Sequence, residues 1–465
     1  MRKLVLPLLV ALAIAVVAGG AAWLFAPAGG PAAPYVAPRL PASAGASAPV
    51  QSQAMVLRGQ YLARAGDCAA CHTAEGGAPY AGGLRMNTPF GAIYSTNITP
   101  EVVHGIGNYT YADFERAVRH GIRQDGKNLY PAMPYPEFAG ITDDDMQALY
   151  VYFMHGVPPR PQANRDNALP WPFSVRPGLR AWNTFLKPDT PPAPDPRRGA
   201  DWQRGAYLVR TLGHCGSCHT PRGALGQPKA MSEHDGADYL GGAVLDDWYA
   251  PGLARTLKAG ERRWTEDEIA DYLATGRTAH SAAFGPMSDV VQHSTQYLTD
   301  ADRRAIAVYL LALPEAEAAS ADTDAGDAAR RQQRLARTTR ELADARPASL
   351  GARLYLDNCV GCHRVDGQGD PRTFPALAAN ASITGKNATS LIHVILAGSA
   401  MPSTRQAPTP LSMPGFAWRL SDEEVAALAT FVRGGWNNQA GPVSADAVRA
   451  VRRDTGLPAP TDRNR

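Results

Sequence analysis

All six cysteines of this 465-residue chain fall in three copies of one pattern: Cys68-Ala-Ala-Cys71-His72, Cys215-Gly-Ser-Cys218-His219 and Cys359-Val-Gly-Cys362-His363. Two thiols three positions apart, followed at once by an imidazole, can attach a c-type haem. The thiols add to the two vinyl groups of one porphyrin, and the histidine falls beneath the iron as its proximal ligand. Three such sites imply three covalent haems and leave no cysteine for a disulfide or a nucleophile. The competing chemistries explain less. A zinc ribbon places its cysteine pairs about 15–20 residues apart, whereas here they lie a whole domain apart. Neither a thioredoxin-type pair nor stray disulfides would put a histidine after every pair.

A haem iron takes a second axial ligand unless it binds a substrate. Methionine opposite histidine raises the reduction potential and suits an electron carrier, while an open position suits catalysis or gas binding. Each repeat offers a methionine in a proline-bearing loop: Met133 in Tyr-Pro-Ala-Met-Pro-Tyr, Met287 in Phe-Gly-Pro-Met-Ser, and in the third repeat both Met401 and Met413 ahead of a proline. The plain alternative is that each fills core space, as most methionines do. Met133 precedes the next helix cap, Thr142, by nine residues, and Met287 precedes Thr299 by twelve. Met413 precedes Ser421 by eight and Met401 by twenty, so equivalent geometry favours Met413. The remaining histidines read as surface or core residues. With no glycine-rich dinucleotide or phosphate loop and no metal cluster beyond the haem ligands, the chain offers no catalytic residues of its own.

The elements that must hold these residues also repeat. Arg-Gly-Gln-Tyr-Leu at 58–62 returns as Arg-Gly-Ala-Tyr-Leu at 204–208, and more weakly as Gly351 and Tyr355, each ahead of its cysteines. These read as short helices leading into the haem sites. Downstream, Thr142, Thr299 and Ser421 each precede acidic residues and an apolar series at helical spacing, an N-cap favourable to the helix dipole. An aromatic (Tyr152, Tyr309, Phe431) follows nine positions after the first Asp. The terminal helix is expected to cross the first at its glycine (Gly59, Gly205, Gly351), because only a residue without a side chain lets ring and backbone approach so closely.

The length fits about three domains of 100–150 residues. A hydrophobic share of 45% is globular, and 39 Pro with 44 Gly imply long loops. The net charge of +3 omits haem propionates and shows no basic cluster, so nucleic acid is not an expected partner. Arg2 and Lys3 precede an apolar run from Leu4 to about Ala26. It is longer than the apolar core of a cleaved signal peptide and close to the ~20 residues that span a bilayer. Residues 1–30 therefore read as a membrane anchor or signal peptide with everything after them outside the cytoplasm, and 31–54 as a Pro/Ala tether. Domain one covers 55–157, domain two 199–314 and domain three 347–437. Between them lie a Pro-rich connector (158–198) and a charged Ala-rich spacer (315–346). The prolines argue against a helix in the connector, while its aromatics suggest that it packs across the first two domains. The spacer reads equally as a solvated helix or a flexible link, and the tail 438–465 as loosely ordered.

The chain resembles the tri-haem cytochrome c subunits of bacterial membrane-bound alcohol, gluconate, sorbitol and fructose dehydrogenases. The resemblance runs from Arg58 to Trp436 and is carried most specifically by Thr88-Pro-Phe-Gly-Ala-Ile-Tyr-Ser-Thr-Asn-Ile-Thr-Pro100, Leu129-Tyr-Pro-Ala-Met-Pro-Tyr135 and Met413-Pro-Gly-Phe-Ala-Trp-Arg-Leu-Ser-Asp422. It implies a mainly α fold of three tandem class I-type cytochrome c domains with long loops, Met133, Met287 and Met413 as sixth ligands, and an electron-transfer role. It further implies a catalytic dehydrogenase partner carrying flavin, quinone or molybdenum cofactor, and ubiquinone or a terminal oxidase as acceptor at the periplasmic face of the bacterial inner membrane. Molybdenum-type aldehyde or N-heterocycle dehydrogenases use similar subunits. A multi-haem peroxidase or an oxidase cytochrome subunit is a more distant alternative.

Overall fold

The computed structural model describes residues 48–258, 263–314 and 325–460. The expected anchor and most of the expected tether lie outside them. Among the described residues no helix is long and apolar enough to cross a membrane, and the sheets are three two-stranded antiparallel hairpins in a mainly helical fold. The chain divides into two compact units. One comprises the chain through Ala63, Cys71–Pro192 and the loop Gly223–Gln227; the other comprises Arg64–Ala70, Ala193–Arg222 and Pro228 onward.

In the first repeat α1 (Ala48–Ala65) begins inside the stretch expected to be tether, and leads into the short α2 (Cys68–His72). A hairpin of β1 (Arg85–Thr88) and β2 (Gly91–Tyr94) follows, and then the terminal helix α3 (Asp143–Val151). The connector contradicts its proline content by forming α4 (Gly178–Phe185), which fits between Pro177 and Pro188 with Pro177 at its N-cap, where no amide is needed. Trp182 on α4 is buried and donates from Nε1 to Leu225 O at 2.9 Å, so the connector does hold a loop from the second repeat.

The second unit opens with α5 (Ala200–Tyr207) and α6 (Gly216–His219). Next come β3 (Gly242–Leu245), β4 (Trp248–Pro251), α7 (Pro286–His293) and the terminal helix α8 (Asp300–Ala312). The third repeat is α9 (Ala325–Ala343), α10 (Leu350–Asn358), α11 (Val360–His363) and α12 (Thr389–Ala397). It continues with the paired β5 (Ser399–Ala400) and β6 (Ser412–Met413), α13 (Asp422–Gly434) and α14 (Ala445–Asp454).

The helix crossings occur at the expected glycines. A Cβ built on Gly59, Gly205 or Gly351 would lie 2.5, 2.8 or 2.7 Å from the Cβ of Tyr152, Tyr309 or Phe431, and closer still to a carbonyl oxygen of the terminal helix. The caps differ in an instructive way. Thr142 Oγ1 and Thr299 Oγ1 accept from the amides of Asp145 and Asp302, but those carboxylates turn to the first helix, where Arg58 and Arg204 meet them at 2.6–3.0 Å. In the third repeat Leu350 stands at the arginine position, and Glu424 instead completes a capping box by accepting from Ser421 N at 2.8 Å.

In the spacer the helical alternative holds over α9, although the helix is not solvated throughout: Leu342 is buried in the domain-three core, and Thr338 Oγ1 accepts from the amide of the buried Trp436. The expectation for the tail is corrected, because as far as Pro460 it is not loose. Ser444 caps α14, Val448 and Val451 enter the core, and the buried Arg452 pairs with Asp422 at 2.7 Å while donating to the carbonyls of Ala417, Leu420 and Pro458, each at 2.8 Å. A residue from a stretch expected to be loosely ordered thus satisfies buried carbonyls. Arg452→Ala should strand that carboxylate and those carbonyls, cost about 3 kcal/mol, and make the tail sensitive to limited proteolysis at protease levels that spare the parent.

Candidate haem sites

Both cysteines and the histidine share α2 in the first repeat, whereas Cys215 and Cys359 stand at the N-caps of α6 and α11, and none of the six cysteines is in a disulfide. Burial pushes the Cys215 and Cys359 thiols up to about 12, the opposite of a reactive redox thiolate. Among the described residues no group of three or more His, Cys, Asp or Glu is placed to hold a metal ion.

The histidines carry the decisive geometry. His72 Nδ1 lies 2.6 Å from Thr96 O, His219 Nδ1 lies 2.7 Å from Pro251 O, and His363 Nδ1 lies 3.0 Å from Pro375 O. A carbonyl can only accept, so Nδ1 must carry the proton. Burial also lowers all three pKa values, holding the rings neutral against the opposing pull of those hydrogen bonds. A neutral imidazole with Nδ1 protonated presents its Nε2 lone pair, the tautomer and orientation an iron ligand requires. The residues therefore fit a haem iron below which each histidine is locked by main chain.

Sequence reasoning missed these three carbonyls. In the second repeat the carbonyl is supplied by the last residue of β4, whose hairpin turns on Asp246 and Asp247, both at positive φ. In the first it lies two residues beyond β2, inside the Thr88–Pro100 segment. That turn is set by Thr88 Oγ1 donating to Gly91 O and by Gly91 at φ +119°. The available signal was a short strand–turn–strand pattern after each of the first two haem motifs.

The methionine loops are held by different neighbours. Met133 lies half-buried before Tyr135, whose ring is fully buried and whose hydroxyl donates to Asn183 Oδ1 at 2.6 Å. Tyr130 donates to Phe173 O at 3.2 Å, and the Arg176 guanidinium sits over the Tyr130 ring. The connector therefore braces the Met133 loop. Met287 is half-buried in the first turn of α7, just after Gly285 at φ +53° and Pro286. Met413, also half-buried, pairs with Ser399 in the β5–β6 ladder, while the amide of Met401 donates to Leu411 O one step further along the same hairpin.

The sequence model of the cytochrome c family matches residues 56–156, 202–314 and 348–436, one match around each histidine just described. This chain belongs to the cytochrome c family. It is a three-domain member and carries three covalently bound c haems. It is 45% identical to the gluconate 2-dehydrogenase cytochrome c subunit of Pantoea cypripedii, over 88% of this chain and 92% of that protein. It is 47% identical to the cytochrome c subunit of the quinone alcohol dehydrogenase of Gluconacetobacter polyoxogenes, over 89% and 87%. It is also 43% identical to a nicotinate dehydrogenase subunit of Pseudomonas putida, over 82% of this chain but only 30% of that protein.

Proposed function

We propose that this cytochrome is the electron-transfer subunit of a membrane-bound dehydrogenase that oxidises a small CH–OH donor such as an alcohol or gluconate. The carrying observation is a conjunction. Three histidines, each locked by a backbone carbonyl, occur in a chain that aligns over 88–89% of its length with cytochrome c subunits of a gluconate and an alcohol dehydrogenase. When bound, haem c supplies a one-electron iron couple. The chain's own residues do the rest. Cys68, Cys71, Cys215, Cys218, Cys359 and Cys362 would hold the porphyrins, and His72, His219 and His363 would each offer Nε2 to an iron. Met133, Met287 and Met413 are proposed to close the opposite axial position, which raises the potential and keeps small ligands off the metal. Substrate oxidation then belongs to a separate catalytic subunit with flavin, quinone or molybdenum cofactor. The Leu4–Ala26 apolar run, following Arg2 and Lys3, supports tethering at the periplasmic face of the inner membrane, with ubiquinone or a terminal oxidase receiving the electrons. The similarity to a nicotinate dehydrogenase subunit supports a second reading, in which the donor is an N-heterocycle.

Purification from detergent-solubilised membranes through a tag on this chain should bring down a catalytic subunit. Adding gluconate or a primary alcohol to that complex should reduce the haems, with absorbance in the α-band as the readout. Reduction by nicotinate alone would favour the second reading, and a co-purifying haem–copper subunit with no dehydrogenase would overturn both.

A further inference from the structure

Within the second unit, one short segment of domain three reaches both axial supports of the haem site in domain two. On the proximal side, Ser390 in the first turn of α12 accepts from the amide of Tyr249 at 2.7 Å and donates to the carbonyl of the same residue at 3.1 Å. Tyr249 lies on β4, two residues before Pro251, whose carbonyl holds His219. The neighbouring Trp248 stacks on His393 of α12, with centroids 3.9 Å apart and planes 22° apart, and His393 Nδ1 lies 3.1 Å from Asp247 O. On the distal side, Ser399 Oγ accepts from the amide of Gly285 at 3.2 Å, and Ser288 Oγ donates to Ala400 O at 3.0 Å. Gly285 and Ser288 flank Pro286 and Met287. Trp248 closes the frame, since a Cβ built on Gly285 would strike its ring at 2.7 Å. Ser399 is also the ladder partner of Met413. Residues 390–400 thus touch the strand that aims His219, the loop that carries Met287 and the hairpin that carries Met413.

We propose that the domain-two haem site is completed by domain three, with Ser390 and Ser399 as positioning residues for its proximal and distal ligands. Ser399, placed between the Met287 and Met413 loops, couples the distal geometry of haems two and three. The proposal rests on the assignment of those two methionines, although its proximal half does not. A ligand's strength depends on the groups that fix it from behind, and here those groups belong to another domain.

The test uses the full-length, haem-loaded protein and a potentiometric titration that resolves three haems, with Met287→Ala and Met413→Ala marking which wave is which. Ser390→Ala is expected to shift the haem-two wave alone. Ser399→Ala is expected to shift haems two and three together, and haem one should stay in place in both. Imidazole should displace the haem-two methionine about fivefold more readily in Ser399→Ala, the worth of one neutral hydrogen bond, and Ser399→Thr should restore the parent behaviour. A merely structural role would lower stability without this division among waves. Unmoved haem-two waves in both alanine variants would overturn the proposal. A Met287→Ala protein with unchanged spectra would overturn its distal half together with the ligand assignment, leaving Ser390→Ala to decide the proximal half.

Discussion

Met413→Ala should lower the potential of haem three by on the order of 0.1 V or more and open its iron to carbon monoxide in the reduced protein, whereas Met401→Ala should do neither. The loop geometry supplies the reason. Met413 sits in the β5–β6 ladder opposite Ser399, and the chain turns immediately afterwards against α12, where Phe416 N donates to Ile395 O at 2.9 Å and Ala417 N donates to Leu396 O at 3.0 Å. Gly398, at φ +77°, lets the Met413 carbonyl pass where any side chain would collide, its Cβ falling 2.5 Å from that oxygen. The backbone on either side of Met413 is therefore fixed by the domain core. Met401 begins the long loop between the two strands, its amide bonded to Leu411 O. Alternation along the hairpin puts it on the same side as Met413, about two strand residues away, so it could serve as a substitute. A Met413→Ala protein that kept a sulfur ligand should lose it in the double variant. If Met401→Ala alone opened haem three, the two roles would be exchanged.

How much of this was legible depended on whether the deciding interaction was local in sequence. The three haem motifs, the capped terminal helices and the glycine crossings each combine an element's own residues with a repeated pattern, and repetition exposed them. The histidine-aiming carbonyls of Thr96, Pro251 and Pro375 left no side-chain signature, because a backbone oxygen comes from any residue that the turn delivers. Arg210 shows a related blind spot. Nothing in the adjacent residues marks it, yet it is buried, ion-paired with Glu233 and donates to Tyr309 Oη at 3.1 Å. The order of the tail and the helix in the connector were hidden for the same reason. Low hydrophobic content and frequent prolines are local preferences, but Arg452 finds its acceptors about thirty residues away, and α4 is held through Trp182 by an acceptor forty-three residues away. Tertiary partners of that kind override propensity.

Gly351→Ala and Gly434→Ala, two identical changes in the same domain, should move stability in opposite directions. At Gly351 the added methyl would meet Phe431 Cβ at 2.7 Å and crowd the Ala427 carbonyl even more closely, both parts of the rigid α13. Relief requires α10 and α13 to separate, an overpacking strain of about 3 kcal/mol that should lower the calorimetric transition of the unit containing domain three by roughly 6–12 °C. At Gly434, the last residue of α13, nothing lies within 4 Å of the new methyl. There the chief effect is on the unfolded chain, whose lost freedom stabilises the helix by about 0.5–1 kcal/mol. The third repeat is the right place to ask, because it lacks the arginine that ties the first helix to the terminal one in the other two (Arg58 to Asp145, Arg204 to Asp302). Without that ion pair, close approach at Gly351 has to carry more of the crossing. Gly205→Ala should be at least as severe a lesion, because its methyl would crowd Ala305 O even more closely and separation there would also have to stretch the Arg204–Asp302 pair; a clearly smaller loss would mean that the arginine bridge does nothing to hold the two helices together.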